Sequence, residues 1–286
     1  MSKNEPTPLR PFADLLSFED YGAGLGAAAT VLRANATSTS LGAPVPTCPG
    51  WTVADLVAHQ GMVHRWAAGI LSAAAGAAAP DPAGLEREGR ESDDLLQWFD
   101  DGATDLLDVL SKTPSDWDGF FFLRGLPSRR DGWARRQCHE TTMHAVDAMS
   151  ARLTRVPSAE QLWFSPALAA DGIDELIMGF LPRRSTTLRS PEPVTLEIGT
   201  TDTGHAWTVE IGEEAPVVHR APTEQADARW RGTAIDMYLH LWNRLPQSAI
   251  GEDGGQAEAR IRAQHLTAYG SGTTRLWRET MTVVFG

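Results

Sequence analysis

The spacing of apolar residues changes close to Pro182, and this change restricts the fold of the 286-residue chain more than any other feature. Before Pro182, apolar residues recur every three or four positions, which is typical of amphipathic helices. After it, residues 194–198 and 206–211 alternate between apolar and polar side chains, and the polar turn at residues 203–204 joins them as a β-hairpin. The sequence therefore predicts an α+β protein that is helical first and then a mixture of strands and helices.

We predict two domains, at residues 1–182 and 190–286, with segment 183–187 in the linker. The first domain is expected to be a helical bundle, with helices at residues 12–33, 52–74, 92–111, 131–153 and 166–181. The second domain is expected to add two strands, a helix and a strand-like C-terminal stretch to the hairpin, at residues 216–220, 226–230, 233–243 and 276–285. Thr52 and Asp55 have the spacing of a capping box, which predicts that the second helix begins at Thr52.

Composition excludes several classes of protein. The formal net charge of −12 disfavours binding to nucleic acid or to an anionic membrane surface, because phosphate groups would be repelled. The sequence has no run of eighteen apolar residues and its N-terminus lacks the apolar core of a signal peptide, so we expect a cytoplasmic protein. The two cysteines, Cys48 and Cys138, fit a reducing compartment and give no disulfide framework.

The segment 138–147 contains the main candidate for a chemical site. Glu140 and His144 are four residues apart, so on a helix they lie on one face, where a single cation could bind both. This pair differs from the two-histidine motif of zinc proteases and predicts no peptidase. Two ligands do not complete a metal site, and His59 is the candidate for the third.

The predicted fourth helix has an unusually polar face. It contains Trp133, Gln137, Glu140, His144, Asp147 and Ala151. Helical bundles build metal sites from inward carboxylates and imidazoles, and such a face suits that use. Asp55, one turn before His59, is expected to orient its imidazole. The alternative is a solvated surface pair, which is the more common role of an isolated Glu and His four residues apart.

Three further residues are interpreted as structural. His64 lies about 140° around the helix from His59, so we expect a surface or inter-helix histidine. Cys138 lies about 200° from Glu140 on the same wheel and is interpreted as packed in the core. Cys48, in a proline-rich loop, is interpreted as a small buried filler.

Residues 48–59 and 135–147 resemble the mycothiol-dependent maleylpyruvate isomerase family of actinobacteria, and the resemblance extends over nearly the whole chain, including residues 232–244. It implies a DinB-like four-helix metal-binding domain followed by a sterol-carrier-like α+β domain. The metal ligands of that family fall on three residues of this chain, which are His59, Glu140 and His144.

The resemblance also implies a reaction. A divalent metal, with zinc expected and iron as the alternative, would activate the thiol of mycothiol as a co-substrate, and the thiolate would add to an electrophilic small molecule. Expulsion of the thiol after addition makes the enzyme an isomerase, whereas retention makes it a transferase. Asp55 and Asp147 are predicted to orient ligands, and Arg244 to bind a carboxylate of the substrate or the thiol.

Two other functions remain open at this point. Two histidines and a carboxylate are also the ligands of non-haem iron enzymes, so iron or metal-water chemistry without a thiol is one alternative. The other is a non-catalytic protein that binds a small apolar molecule. The segment after Arg244 is longer than in the isomerase itself, which leaves the substrate open.

Overall fold

A computed structural model describes residues 16–74, 78–123, 128–245, 259–260, 267–269 and 272–281. The chain divides into two compact units, the first spanning Ser17–Leu162 and the second beginning at Trp163. The first unit is helical and the second combines a sheet with helices, so the predicted α+β class is confirmed. Among the described residues, no helix is long and apolar enough to cross a membrane.

The first unit is a bundle of four long helices with one short helix beside it. In chain order they are α1 (Phe18–Thr37), α2 (Val53–Ser72), the short α3 (Pro82–Glu91), α4 (Leu95–Lys112) and α5 (Arg129–Leu153). The long helices contact one another in the cyclic order α1, α5, α2, α4, and α3 packs on α2 and α4. This arrangement places α2 directly beside α5, the two helices that contain the candidate ligands.

The start of α2 was predicted correctly, whereas α3 was missed. The Thr52 side chain accepts a hydrogen bond from the Asp55 backbone N–H at 3.2 Å, and Asp55 Oδ2 accepts one from the Thr52 N–H at 2.8 Å, which completes the capping box. Helix α3 begins at Pro82 because Asp81 caps it and proline fits the first helical turn. No helix was predicted between residues 74 and 92.

Helix α5 is the central element of the first unit. Every residue from Gly132 to Ala151 is buried, including ten that are polar or charged. Helix α1 covers α5 with a face of small and apolar residues, which include Leu25, Ala28 and Leu32. A buried polar group is costly unless it is paired, so the interior of the bundle must supply partners for the polar side chains of α5.

The second unit is built on a mixed sheet. Its strands are β1 (Val194–Thr200), β2 (Ala206–Ile211), β3 (Val217–His219), β4 (Ala228–Gly232), β5 (Ala259–Arg260) and β6 (Thr267–Tyr269). The strand order is β3-β2-β1-β4-β6-β5, in which β1 and β4 are parallel and all other neighbours are antiparallel. The predicted hairpin is confirmed as β1 and β2, with Ile198 opposite Trp207.

The helices of this unit differ in part from expectation. They are α6 (Pro166–Asp174), which continues as a π-helical segment over Glu175–Phe180, α7 (Ala234–Leu241) and α8 (Thr273–Thr280). Helix α6 was expected to complete the first domain, but it packs against α7, and the boundary between the units lies after Leu162 instead of after Pro182. The C-terminal stretch predicted as a strand is helical up to Thr280, and most of the extended segment after Arg244 lies outside the described residues.

Candidate metal centre

A tight turn before α2 positions the first side chains of the candidate site. The Trp51 backbone N–H donates to the Cys48 carbonyl oxygen at 3.0 Å, with Pro49 and Gly50 between them. Gly50 has φ +87°, the left-handed conformation that a type II turn requires at this position and that glycine adopts without strain. The turn places Cys48 and Trp51 beside the first turns of α2.

His59 of α2 lies opposite Glu140 and His144 of α5. His59 Nε2 is 3.7 Å from Glu140 Oε1, and His144 Nε2 is 3.4 Å from the same oxygen. One donor atom from each of these three residues lies within 4.8 Å of the other two. We call His59, Glu140 and His144 the candidate metal cluster.

The spacing and chemistry of these donors fit a divalent cation. Zinc–nitrogen and zinc–oxygen bonds of about 2.1 Å at tetrahedral angles place neighbouring donor atoms about 3.4 Å apart. The observed separations of 3.4 and 3.7 Å are close to that value. Two imidazoles and one carboxylate leave at least one coordination position for another ligand, as in catalytic rather than structural zinc sites.

Two neighbouring charges orient these donors. Arg136 Nη2 donates to Glu140 Oε2 at 2.6 Å, one turn earlier on α5, and this leaves Oε1 directed at the histidines. Asp147 Oδ2 accepts from His144 Nδ1 at 2.9 Å, which leaves Nε2 of the same ring free to bind a cation. Both contacts lie inside the bundle, where exchange with water does not weaken them.

These contacts shift the protonation equilibria in opposite directions. Burial opposes ionisation of Glu140, but Arg136 and the two histidines outweigh it and hold the pKa of Glu140 well below its usual range. Burial likewise opposes protonation of His144, but hydrogen bonds to Asp147, Cys48 and Glu140 raise its pKa well above the usual value. A cation that binds to His144 therefore competes with a proton that these contacts hold more tightly than usual.

Trp51 covers the two imidazoles. Its ring stacks on His144 with 5.9 Å between centroids and an interplanar angle of 19°, and it is tilted against His59 at 4.9 Å. Only part of the surface of Trp51 is buried. Its contacts make it a wall of the candidate metal cluster.

Cys48 is the functional-site residue that sequence reasoning missed. Its Sγ donates to Asp147 Oδ2 at 3.3 Å and, with His144 and Asp147, it forms a second group of three donors within 4.8 Å. Cys48 is half-buried, so its interpretation as a buried filler was wrong. The available signal was its position in the Cys-Pro-Gly-Trp turn, which fixes the cysteine relative to α2. Cys138 is fully buried, in agreement with its predicted packing role.

Two other predicted site residues, Asp55 and Arg244, have partners outside the candidate metal cluster. The carboxylate of Asp55 closes the capping box with Thr52 and binds Arg90, and these bonds lower its pKa to about 2. Asp55 therefore fastens α3 to the start of α2, instead of orienting His59 as we expected. Arg244 belongs to the second unit, where its Nη1 donates to the Trp242 carbonyl oxygen at 2.8 Å.

A second polar cluster lies between the same two helices. His64 Nε2 is 2.9 Å from both Gln60 Nε2 and Thr141 Oγ1, and all three side chains are fully buried. We call Gln60, His64 and Thr141 the closed cluster. Burial, with a further contribution from Arg65, lowers the pKa of His64 to about 3. His64 is thus an inter-helix histidine, one of the two positions predicted for it.

Taken together, fold and cluster define an α+β protein whose helical bundle gathers two imidazoles and one carboxylate from facing helices. Two family models match it, "Mycothiol maleylpyruvate isomerase N-terminal domain" over residues 23–149 and "MDMPI C-terminal domain" over residues 167–260. The chain belongs to the mycothiol-dependent maleylpyruvate isomerase family. The two matches also divide the chain near the boundary between the units.

Solved structures agree on the fold. A crystal structure of the mycothiol-dependent maleylpyruvate isomerase aligns with a TM-score of 0.56 and 13% identity, over 84% of this chain and 92% of that one. A mutant form of that enzyme aligns with a TM-score of 0.55 and 12% identity, over 79% and 88% of the two chains. No curated protein matches this chain.

Proposed function

We propose that this protein is a metal-dependent, mycothiol-dependent isomerase or transferase, in which His59, Glu140 and His144 bind one divalent cation. The main support for this proposal is that one donor atom from each of these three residues lies within 4.8 Å of the other two. Family membership supports mycothiol as the thiol, because the enzyme of known structure is described as mycothiol-dependent. Zinc is the expected metal, since its ligands in proteins are histidine, cysteine and carboxylate.

The chain itself supplies orientation and protection. A bound divalent cation stabilises a thiolate at neutral pH, which makes the sulfur of a thiol co-substrate nucleophilic. Asp147 holds the His144 ring in the orientation that exposes Nε2, and Arg136 keeps Glu140 ionised. Trp51 covers one side of the imidazoles and restricts the approach of water from that side.

The reaction follows from the chemistry of a thiolate. Its sulfur forms a bond to one carbon of an activated double bond, and the π electrons move to the activating group. Rotation about the resulting single bond and expulsion of the thiolate regenerate the double bond with changed geometry, which is isomerisation. Protonation of the adduct before expulsion retains the thiol and is group transfer. For either outcome, Arg244 is proposed to bind a carboxylate, so Arg244→Gln should raise KM more than it lowers kcat.

The decisive experiment uses cobalt and mycothiol. The Cys48→Ser protein is loaded with Co²⁺, so that the thiol of Cys48 cannot bind the metal, and mycothiol is added. A sulfur-to-cobalt charge-transfer band should develop and should be absent from the Cys48→Ser, His144→Ala double variant. If the spectrum does not change at saturating mycothiol while turnover persists, the thiol is not a metal ligand.

The ligand set itself favours one competing function. Two histidines and a carboxylate with open positions also bind iron in oxygen-dependent enzymes. Expression with both zinc and iron supplied, followed by metal analysis and activity measured with and without O₂, separates the two. Iron as the bound metal together with O₂-dependent turnover would replace the thiol mechanism.

A further inference from the structure

The imidazole of His144 has a donor group on each of its two sides. Nε2 is directed at Glu140, as described above, whereas Nδ1 lies 2.9 Å from Asp147 Oδ2. The same carboxylate oxygen is 3.3 Å from Cys48 Sγ, and one donor atom from each of Cys48, His144 and Asp147 lies within 4.8 Å of the other two. We call Cys48, His144 and Asp147 the sulfur cluster.

We propose that the sulfur cluster is a second metal site, which takes thiophilic divalent cations such as Cd²⁺. Zinc with sulfur, nitrogen and oxygen ligands at about 2.1–2.3 Å requires donor atoms about 3.4–3.6 Å apart, and the larger Cd²⁺ requires wider spacing. The separations of 2.9 and 3.3 Å must therefore widen when a cation binds, and one donor, Cys48, lies on a turn at the edge of the bundle. The proposal rests on these contacts and not on the proposed thiol reaction.

Charge and softness distinguish the two sites. The candidate metal cluster has one anionic ligand, Glu140, whose charge is shared with Arg136. The sulfur cluster supplies a carboxylate and, once the cation has displaced its proton, a thiolate, which together neutralise a divalent cation. Thiolates select soft metals, whereas imidazole and carboxylate suit harder ones. Cd²⁺ is therefore expected at Cys48, whereas Fe²⁺, Mn²⁺ and the borderline-soft Zn²⁺ are expected at the candidate metal cluster.

The two sites compete because they share one imidazole. A neutral imidazole has one N–H and one lone pair. Binding at Nε2 requires Nδ1–H to donate to Asp147, whereas binding at Nδ1 requires Nε2–H to donate to Glu140. Each set of partners is present, so each tautomer has an acceptor for its proton. One His144 ring thus supports one cation at a time.

Titration of the full-length protein with Co²⁺ or Cd²⁺, with no thiol added, tests the proposal. A sulfur-to-metal charge-transfer band should appear, should disappear in Cys48→Ser and should persist in the matched control Cys138→Ser. His59→Ala should keep the band, because it removes a ligand from the candidate metal cluster alone. Cd²⁺ affinity should fall at least about 100-fold in Cys48→Ser, beyond the 10–100-fold typical of losing an outer-shell partner.

Alkylation gives a second measurement on the unmodified protein. Cys48 is half-buried and Cys138 fully buried, so a thiol reagent should label Cys48 first, and saturating Cd²⁺ should suppress that labelling. Absence of the band without added thiol, or labelling of Cys48 that Cd²⁺ does not slow, would overturn the sulfur cluster. The proposed function would survive that result if mycothiol still produced a band in the cobalt protein.

Discussion

Two histidines of α2, His59 and His64, both meet α5, yet their surroundings give them different chemistry. His59 is partly exposed and faces the carboxylate of Glu140. His64 is fully buried and meets the neutral side chains of Gln60 and Thr141. The comparison shows that an imidazole's ability to bind a cation depends mainly on the residue that it contacts on the neighbouring helix. The histidine itself and its own helix matter less.

The closed cluster also forms fewer hydrogen bonds than its polar atoms allow. Thr141 Oγ1 donates its one hydrogen to the Gln137 carbonyl oxygen at 2.7 Å. In any other hydrogen bond this hydroxyl oxygen is therefore the acceptor. Within the described part of the chain, Gln60 Oε1 and His64 Nδ1 have no hydrogen-bond partner. A protonated His64 would have no anion in contact, which explains why its pKa is lowered while that of His144 is raised.

The largest difference is expected in metal binding. His144→Ala should lose nearly all bound metal, because two ligands remain in the candidate metal cluster and two in the sulfur cluster. His64→Ala is the matched control and should keep the wild-type metal content. Metal analysis after exhaustive dialysis measures both, and an unchanged content in His144→Ala would refute the assignment.

The free energy of unfolding should show the reverse order, because replacing His64 should cost more stability than replacing a ligand histidine. His64→Ala deletes a fully buried ring and leaves Gln60 and Thr141 with an unfilled space, which should cost about 3 kcal/mol in the free energy of unfolding. His59→Ala, at a partly exposed position, should cost less than about 1 kcal/mol in the metal-free protein. Urea unfolding of both metal-free variants gives the comparison. Equal losses would mean that the two environments differ less than the contacts indicate.

The pH dependence of unfolding isolates His64 itself. Its pKa of about 3 in the folded state lies below the usual value of 6.5, so the unfolded chain binds the proton more readily. Stability is therefore lost as pH falls below 6.5, by about 2 kcal/mol at pH 5 for this group. His64→Leu should lose that much less stability than wild type between pH 7.5 and pH 5. The pKa of His240 is also lowered to about 3 by burial, but His240 is present in both proteins and cancels.

A smaller loss of metal binding is expected when the carboxylate of Glu140 is replaced. Glu140→Gln keeps the size of the side chain but removes its charge, and should weaken metal binding at least about tenfold, or about 1.4 kcal/mol. Isothermal titration with Zn²⁺ measures the change. Adding Gln60→Glu to the Glu140→Gln variant places a carboxylate in the closed cluster. It should not restore zinc affinity, because the side chains of this cluster are directed at Thr141. Full recovery of zinc affinity would show that the position of the carboxylate is unimportant.

The smallest change should follow from removing the second unit. Both clusters lie within residues 17–162, so this fragment should fold alone, retain the metal and retain the His64 contribution to the pH dependence. Circular dichroism and metal analysis test this, with the full chain as reference. An unfolded fragment would show that the first unit requires the second.

How far the sequence predicts this site depends on where each residue lies. Glu140 and His144 share one helix, so their spacing places them together without knowledge of the tertiary fold. His59 was one candidate from the sequence and was assigned as the third ligand only through the family resemblance, because nothing local relates α2 to α5. Cys48 was missed because a turn, and not a periodic element, brings it to Asp147. Asp55 was misassigned because its capping role and a role beside His59 use the same position.

The fold could be predicted from the sequence to about the same extent as the site. Long amphipathic helices and the hairpin follow from their periods, and most of their bounds agree to within a few residues, although α1 begins at Phe18 and not at residue 12 as predicted. Helix α6 has the right helical pattern, but its partner is α7, and a pattern does not specify a partner. Helix α8 was interpreted as a strand because its apolar residues are few and allow either period.

The packing of α1 against α5 has a consequence for synthesis of the chain. Helix α1 ends at Thr37 and α5 ends at Leu153, so at translation rates of 5–20 residues per second the first helix waits roughly ten seconds for its main partner. During that interval Leu25 and Leu32 lack their final cover. A nascent chain arrested before α5 emerges should therefore be a better client for chaperones that hold apolar segments than one arrested after it.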